Sequence, residues 1–329
     1  MHRKKGESIE LIDAVPVRHW GRYISALIAA IVAVMIANAL ITNPNWHWDV
    51  VWENLFRPEV MRAVGWTLAL TVGAMVLGII MAVTMAIMRR STNPVLRGVA
   101  MAYIWFFRGT PIYTQLIFWG LIGTLYTTIT VGIPWTSVEF FTIDPNRLVP
   151  GDLQRTMFIY AVLGLGLNEG AYLSEIVRSG LNSVDAGQEE AARALGMSRS
   201  QVLRRIIFPQ AMRVIIPPTG NETISMLKTT SLVSAVPFTL DLTYVTNAMG
   251  FAALRPIPWL LIAVIWYLVI TSVLMVGQHF IEQYYGKGVK DANVDTLSRR
   301  GKARLRKSRQ AAINSAGTTS DDPFIEYTP

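Results

Sequence analysis

The chain has 329 residues, 52% of them hydrophobic and only 16% charged, with no cysteine and a formal charge of +8. An average soluble domain carries about a quarter charged residues, so this balance points to lipid as the solvent. Without cysteine there can be no disulfide, thiolate metal site or cysteine nucleophile, and His2, His19, His47 and His279 never share a metal-ligand spacing. No bound metal is expected.

A membrane helix needs about 20 mostly apolar residues, and the sequence predicts six such spans in an all-α integral membrane protein. They cover residues 23–42, 64–88, 108–126, 156–177, 214–236 and 258–281. The first follows a polar, basic segment, residues 1–22, and ends at Asn43-Pro44 with no small-residue cleavage site, which reads as an anchored helix rather than a removed leader. A single membrane domain is thus expected over 23–285, with a cytoplasmic loop at 179–213, and a basic tail over 286–329 that lacks the means to build a core.

Six spans place both termini on one side, and basic residues choose that side. Five precede the first span, three lie between the second and third, six between the fourth and fifth, and nine in the tail, against five in all the opposite loops. Cytoplasmic loops carry such an excess, so both termini are predicted to be cytoplasmic, and the charge is accounted for without nucleic acid. The tail cluster from Arg299 to Arg309 suits anionic headgroups or a specific partner. The outside loop 127–155, punctuated by Pro134, Pro145, Pro150 and Gly151, has no recognisable chemistry.

Membrane-buried polar residues are functional suspects. In the fourth span, Asn168 and Glu169 lie near the middle, and helical spacing puts Asn168, Tyr172 and Glu175 on one face with Glu169 beside it. Glu169 is expected either to pair with a cationic group of a bound ligand or to pair internally with Lys228 or Arg108. Gly166 and Gly170 form a spacing that usually means close helix packing. Lys228, near the middle of the fifth span, could hold a ligand carboxylate or serve as a counterion to Glu222 or Glu169. Pro217-Pro218 with Gly220 are expected to interrupt that span. At the start of the third span, Pro111 fits a first helical turn, while Arg108 could be a gate, a headgroup anchor or a structural pair.

The cytoplasmic loop has the signals of two short helices. Asp185 is a candidate N-cap with Gln188 three residues on, an alanine-rich run follows, and Gly196 sits where a left-handed residue is wanted. Ser198 with Gln201 forms a second capping box, and Pro209 is expected to stop that helix. The alanine face, Ala191, Ala192 and Ala194 with Leu195, would let another protein's backbone come close. Together the two helices read as a docking elbow.

Glu190-Ala191-Ala192, Gly196, Ile206 and Pro209 resemble the EAA signature of bacterial ABC importer permeases, with Phe208 where leucine is commonest. Arg108-Gly-Thr110-Pro111 with Gln115, Leu167-Asn168, Gly170-Ala-Tyr172-Leu-Ser-Glu175, Pro209-Gln-Ala, Asn221-Glu222 and Lys228-Thr-Thr-Ser-Leu232 are similar to the polar amino acid branch of that family, over residues 64–282. The resemblance implies a coupling helix in which Gln188, Glu190, Ala191, Ala192, Leu195 and Gly196 meet a separate ATPase. It further implies a binding protein outside, a second permease subunit, either a copy or a paralogue, and a bacterial cytoplasmic membrane. Family members commonly carry a small residue at position 169, so Glu169 is a departure that could tune specificity. Arg108, Thr110, Pro111 and Gln115 are marked as a motif without an assigned role.

No Gly-x-x-x-x-Gly-Lys-Ser/Thr phosphate loop occurs in the chain, so ATP and magnesium are expected on the partner, and this chain is expected to do no covalent chemistry. The cargo expected is a basic amino acid, glutamine or glutamate. An ion-coupled secondary carrier is the competing reading, but it would usually show inverted repeats, and a membrane enzyme would show a cluster of His, Asp or Ser at one depth. Neither pattern is present in the sequence.

Overall fold

The computed structural model describes residues 20–126, 128–133, 136–144 and 152–285. Most of the amino-terminal segment and the whole basic tail lie outside the described residues. The chain is an all-α membrane protein, with one small hairpin among the described residues. Helices α1 (Trp20–Thr42), α3 (Pro58–Arg89) and α11 (Pro256–Tyr285) are each long and apolar enough to cross a bilayer. Between α1 and α3 lies the short α2 (Trp48–Asn54). Their outward faces are greasy: Val72, Val76 and Ile80 of α3 and Leu268, Val273 and Val276 of α11 are all exposed. Such faces suit a solvent of lipid tails. Helix α1 is exposed along its whole length, held to the rest by Trp48, whose Nε1 donates to Leu40 O at 2.8 Å.

The core forms where α3 packs along α6 (Leu153–Asn182) and α9 (Phe208–Thr229) closes over them. Gly170 makes the first contact possible. A Cβ there would lie 2.6 Å from Met81 Cβ and 2.8 Å from Tyr103 Oη, so the expected glycine-mediated packing is present. Leu70, Leu116, Tyr160, Leu165 and Phe238 fill the space beneath. A second apolar cluster, Val51, Val60, Leu242, Trp259 and Ile262, joins α2, the start of α3, α10 (Leu242–Ala252) and α11.

The third span differs from its sequence expectation. Residues 94–125 form two helices, α4 (Pro94–Gly109) and α5 (Ile112–Leu125), joined by the extended pair Thr110 and Pro111. The cause is local, because a residue before proline is driven out of the helical region. Arg108 therefore ends α4 instead of starting a span, and the stretch before it is helix instead of loop. At 14 residues α5 is about 21 Å long, shorter than the ~30 Å hydrocarbon core.

Helix α9 is also corrected. Pro217 and Pro218 sit inside it without ending it, and Gln278 of α11 donates Nε2 to Pro217 O at 2.8 Å. Nor does Pro209 stop the chain's helical course. From α8 (Arg199–Val202) the backbone passes through a π turn, Leu203–Ile207, directly into α9. The Phe208 N–H reaches back to Leu203 O, and a proline in the following turn needs no N–H of its own. With α6 reaching Asn182 and α9 starting at Phe208, the loop is shorter than 179–213. The segment after α5 contains an antiparallel hairpin, β1 (Ile129–Gly132) and β2 (Glu139–Ile143), where the sequence predicts only a loop.

Candidate functional site: a charged cavity and a docking elbow

The α4–α5 break is fixed by side-chain amides. Gln115 donates Nε2 to Phe107 O (3.0 Å), Thr110 O (3.1 Å) and Thr110 Oγ1 (2.6 Å), which satisfies carbonyls left open at the end of α4. Asn168 of α6 donates Nδ2 to the same Phe107 O at 2.9 Å and to Gln115 Oε1 at 3.1 Å. The motif from Arg108 to Gln115 thus builds a helix break and clamps it against the middle of α6. Asn168, expected as a cargo contact, spends its amide on that clamp.

The clamp leaves a cavity of about 470 Å³ between the break, α6 and α9, lined by Arg108, Asn168, Glu169, Tyr172, Glu222 and Thr229 among others. Glu169 is buried, and its Oε1 has no hydrogen-bond partner. It forms no ion pair with Arg108 or Lys228, so the internal pairing weighed from sequence is not what holds it. The Arg108 guanidinium instead lies over the Tyr172 ring, 5.2 Å from its centroid, a cation–π arrangement. Arg108 joins no ion pair among the described residues, and it follows that the motif arginine is a cavity residue.

Lys228 belongs elsewhere. It occupies the last turn of α9, not the middle of the span, and faces a separate cavity of about 390 Å³ with Asn221, Gln278, His279 and Glu282. Sequence reasoning missed Glu222, Ser225 and Thr229 as lining residues. Their spacing of three and four was the available signal, since it marks one helix face.

The elbow forms largely as its caps dictate. Asp185 Oδ1 accepts the Gly187 N–H at 2.7 Å and starts α7 (Ala186–Ala194), although Gln188 completes no reciprocal box. At the other end Gly196 has φ of +78°. Its N–H reaches Arg193 O at 2.9 Å while Met197 N–H reaches Ala192 O at 3.2 Å, the paired bonds of a Schellman stop. Ser198 and Gln201 form the expected capping box. Gln188, Glu190, Ala191, Leu195 and Gly196 are exposed, whereas Ala192 is buried against its own chain. Ala192 is therefore an internal anchor and not part of an open alanine face.

Comparison with known proteins agrees with this geometry. Residues 74–286 match the family described as binding-protein-dependent transport system inner membrane component. The chain is 50% identical over 278 residues to the arginine transport system permease protein ArgU of Corynebacterium glutamicum, covering 84% of each. It is 35% identical over 219 residues to the nopaline transport system permease protein NocM of Agrobacterium fabrum, covering 66% of this chain and 83% of that one. A solved amino acid ABC transporter with histidines superposes with a TM-score of 0.55 at 32% identity, over 70% of this chain and 95% of that one. The likeness takes in the cavity, the clamp and the elbow, and the chain belongs to the family of binding-protein-dependent transport inner membrane components.

Proposed function

We propose that this chain is the permease subunit of an ATP-driven importer and that its cargo is a cationic amino acid. The observation that carries the cargo class is Glu169, a buried carboxylate with an unpartnered oxygen in a cavity that it shares with a second acid, Glu222. A carboxylate in such a place is costly unless a cation joins it. An amino acid with two cationic groups can meet both acids, while Arg108 is the one guanidinium among the lining residues and suits the cargo's carboxylate. The arginine permease relative supports the same class.

The elbow carries the energy coupling. Its exposed residues fit a groove on a separate ATPase, which holds ATP and magnesium, and a binding protein delivers cargo from outside. A second permease subunit, either a copy of this chain or a paralogue, completes the pathway in a bacterial cytoplasmic membrane with both termini inside. The test is uptake of labelled arginine, glutamine and glutamate by cells lacking the gene, complemented with wild type or Glu169→Gln. Arginine uptake should depend on the gene and fall at least tenfold in the variant. Gene-dependent uptake that is unchanged by Glu169→Gln would refute the cargo role of this residue.

A further inference from the structure

Two adjacent arginines close α3 and reach different elements. Arg89 meets Glu175 of α6, whose other oxygen takes Arg178 Nε at 2.7 Å. Arg90, the next residue, sets its Nη2 3.6 Å from Glu189 Oε2 of α7, and Glu189 Oε1 is held by Arg193 one turn on. One step of backbone therefore ties the end of α3 both to the core helix α6 and to the docking helix. The faces of α7 explain why such a tie matters. Glu189, Ala192 and Arg193 are spaced three and four residues apart and share a side. Of the helix's own residues only Ala192 is buried, so its N-terminal half has little apolar hold on the rest of the chain. Gln188, Ala191 and Leu195, on the flanks of that side, are open to the exterior.

We propose that Arg90 and Glu189 form a strut that sets the angle of α7 and passes its displacement into α3. They are positioning residues for energy coupling that act through the two helices and do not touch the ATPase, and this inference rests on the docking reading of the elbow given above. Both side chains are partly exposed, and such pairs add little stability. The effect to look for is accordingly in the ratio of cargo moved to ATP hydrolysed, not in folding.

The chain contains no cysteine, so R90C/E189C introduces the only two thiols in this subunit. The measurement uses the complete complex, permease with its ATPase and binding protein, in proteoliposomes, and follows ATP hydrolysis together with uptake of a labelled mixture of the protein amino acids. Reduced R90C/E189C should keep its ATPase but move several-fold less cargo per ATP. A short bifunctional thiol reagent should restore at least half of the wild-type ratio, as should the charge swap R90E/E189R. A wild-type ratio in the reduced variant, or no recovery with either repair, would overturn the strut. Loss of the ATPase from the reduced variant would place Glu189 in the docking surface and overturn it as well. Failure of the unaltered chain to bind an ATPase would instead remove the docking reading.

Discussion

Gly170→Ala adds one methyl group at the tightest crossing of α3 and α6. The new Cβ would lie 2.6 Å from Met81 Cβ, 2.8 Å from Tyr103 Oη and 3.3 Å from Gly78 O. Carbon atoms rest about 3.5 to 4.0 Å apart, so the helices must separate by roughly 1 Å, because a Cβ cannot swing aside as a side-chain tip can. Overpacking of this kind costs about 1 to 3 kcal/mol. The same methyl displaces Tyr103, whose hydroxyl donates to Leu167 O at 2.6 Å, a bond with a net value of about 1 kcal/mol. A total of ~2 to 4 kcal/mol lowers the thermal midpoint of a chain this size by roughly 4 to 16 °C. Gly98→Ala is the control, since a Cβ at Gly98 meets nothing within 4 Å and alanine favours helix. Thermal unfolding of the solubilised protein should show Gly170→Ala well below wild type and Gly98→Ala at or above it. Equal midpoints for the two variants would refute the close-packed crossing on which the cavity's shape depends.

At Gly196 there is room for a side chain but the backbone is left-handed, so Gly196→Val should strain the elbow by about 1 to 3 kcal/mol and reduce ATP-coupled uptake while the subunit still inserts, with Gly196→Asn milder. Gln115→Leu removes three donated bonds and the acceptor of Asn168, and a loss of ~2 to 4 kcal/mol should appear in thermal unfolding together with weaker arginine uptake. Asp241, the N-cap of α10, has its carboxyl raised to about 6 by burial, against the opposing N–H bonds from Tyr244 and Thr243. The folded state therefore holds this proton more tightly than the unfolded chain. Its stabilising contribution is complete below the ordinary value near 3.8 and is lost as pH rises through about 6. Relative to wild type, Asp241→Asn should gain roughly 1 kcal/mol between pH 5 and pH 7, and a difference that does not change with pH would contradict this.

What could be read from the sequence was what local chemistry decides. Long apolar runs marked α1, α3 and α11, and the caps at Asp185, Gly196 and Ser198 act over two to five residues, so the elbow was visible before any tertiary contact was known. The helix before the break was not, because Arg97 and Arg108 interrupt the apolar run, and the clamp was not, because the bonds from Asn168 to Phe107 and Gln115 join residues 61 and 53 positions apart. The depth of Lys228 was misjudged for a related reason: α9 gives way at Thr230 to a tighter turn, Thr230–Ala235, which shifts the lysine from the middle of the span to the last turn of the helix. Pro217, Pro218 and Pro209 look like breakers in isolation. Gln278 and the π turn accommodate them, and neither partner can be inferred from the prolines themselves. Of the cavity, Glu169 was legible because a carboxylate is rare at that depth, whereas Glu222 became a lining residue only once α9 was seen beside α6.

The central claim is that this subunit passes a cationic amino acid under the control of an ATPase docked on α7. The most direct test is arginine uptake into proteoliposomes holding the complete complex, with ion gradients collapsed by ionophores and ATP supplied on the side that carries α7. The account predicts uptake that requires hydrolysable ATP, the ATPase and the binding protein, that lysine competes with and glutamate does not, and that survives the loss of ion gradients. Uptake driven by an ion gradient without the ATPase would contradict it.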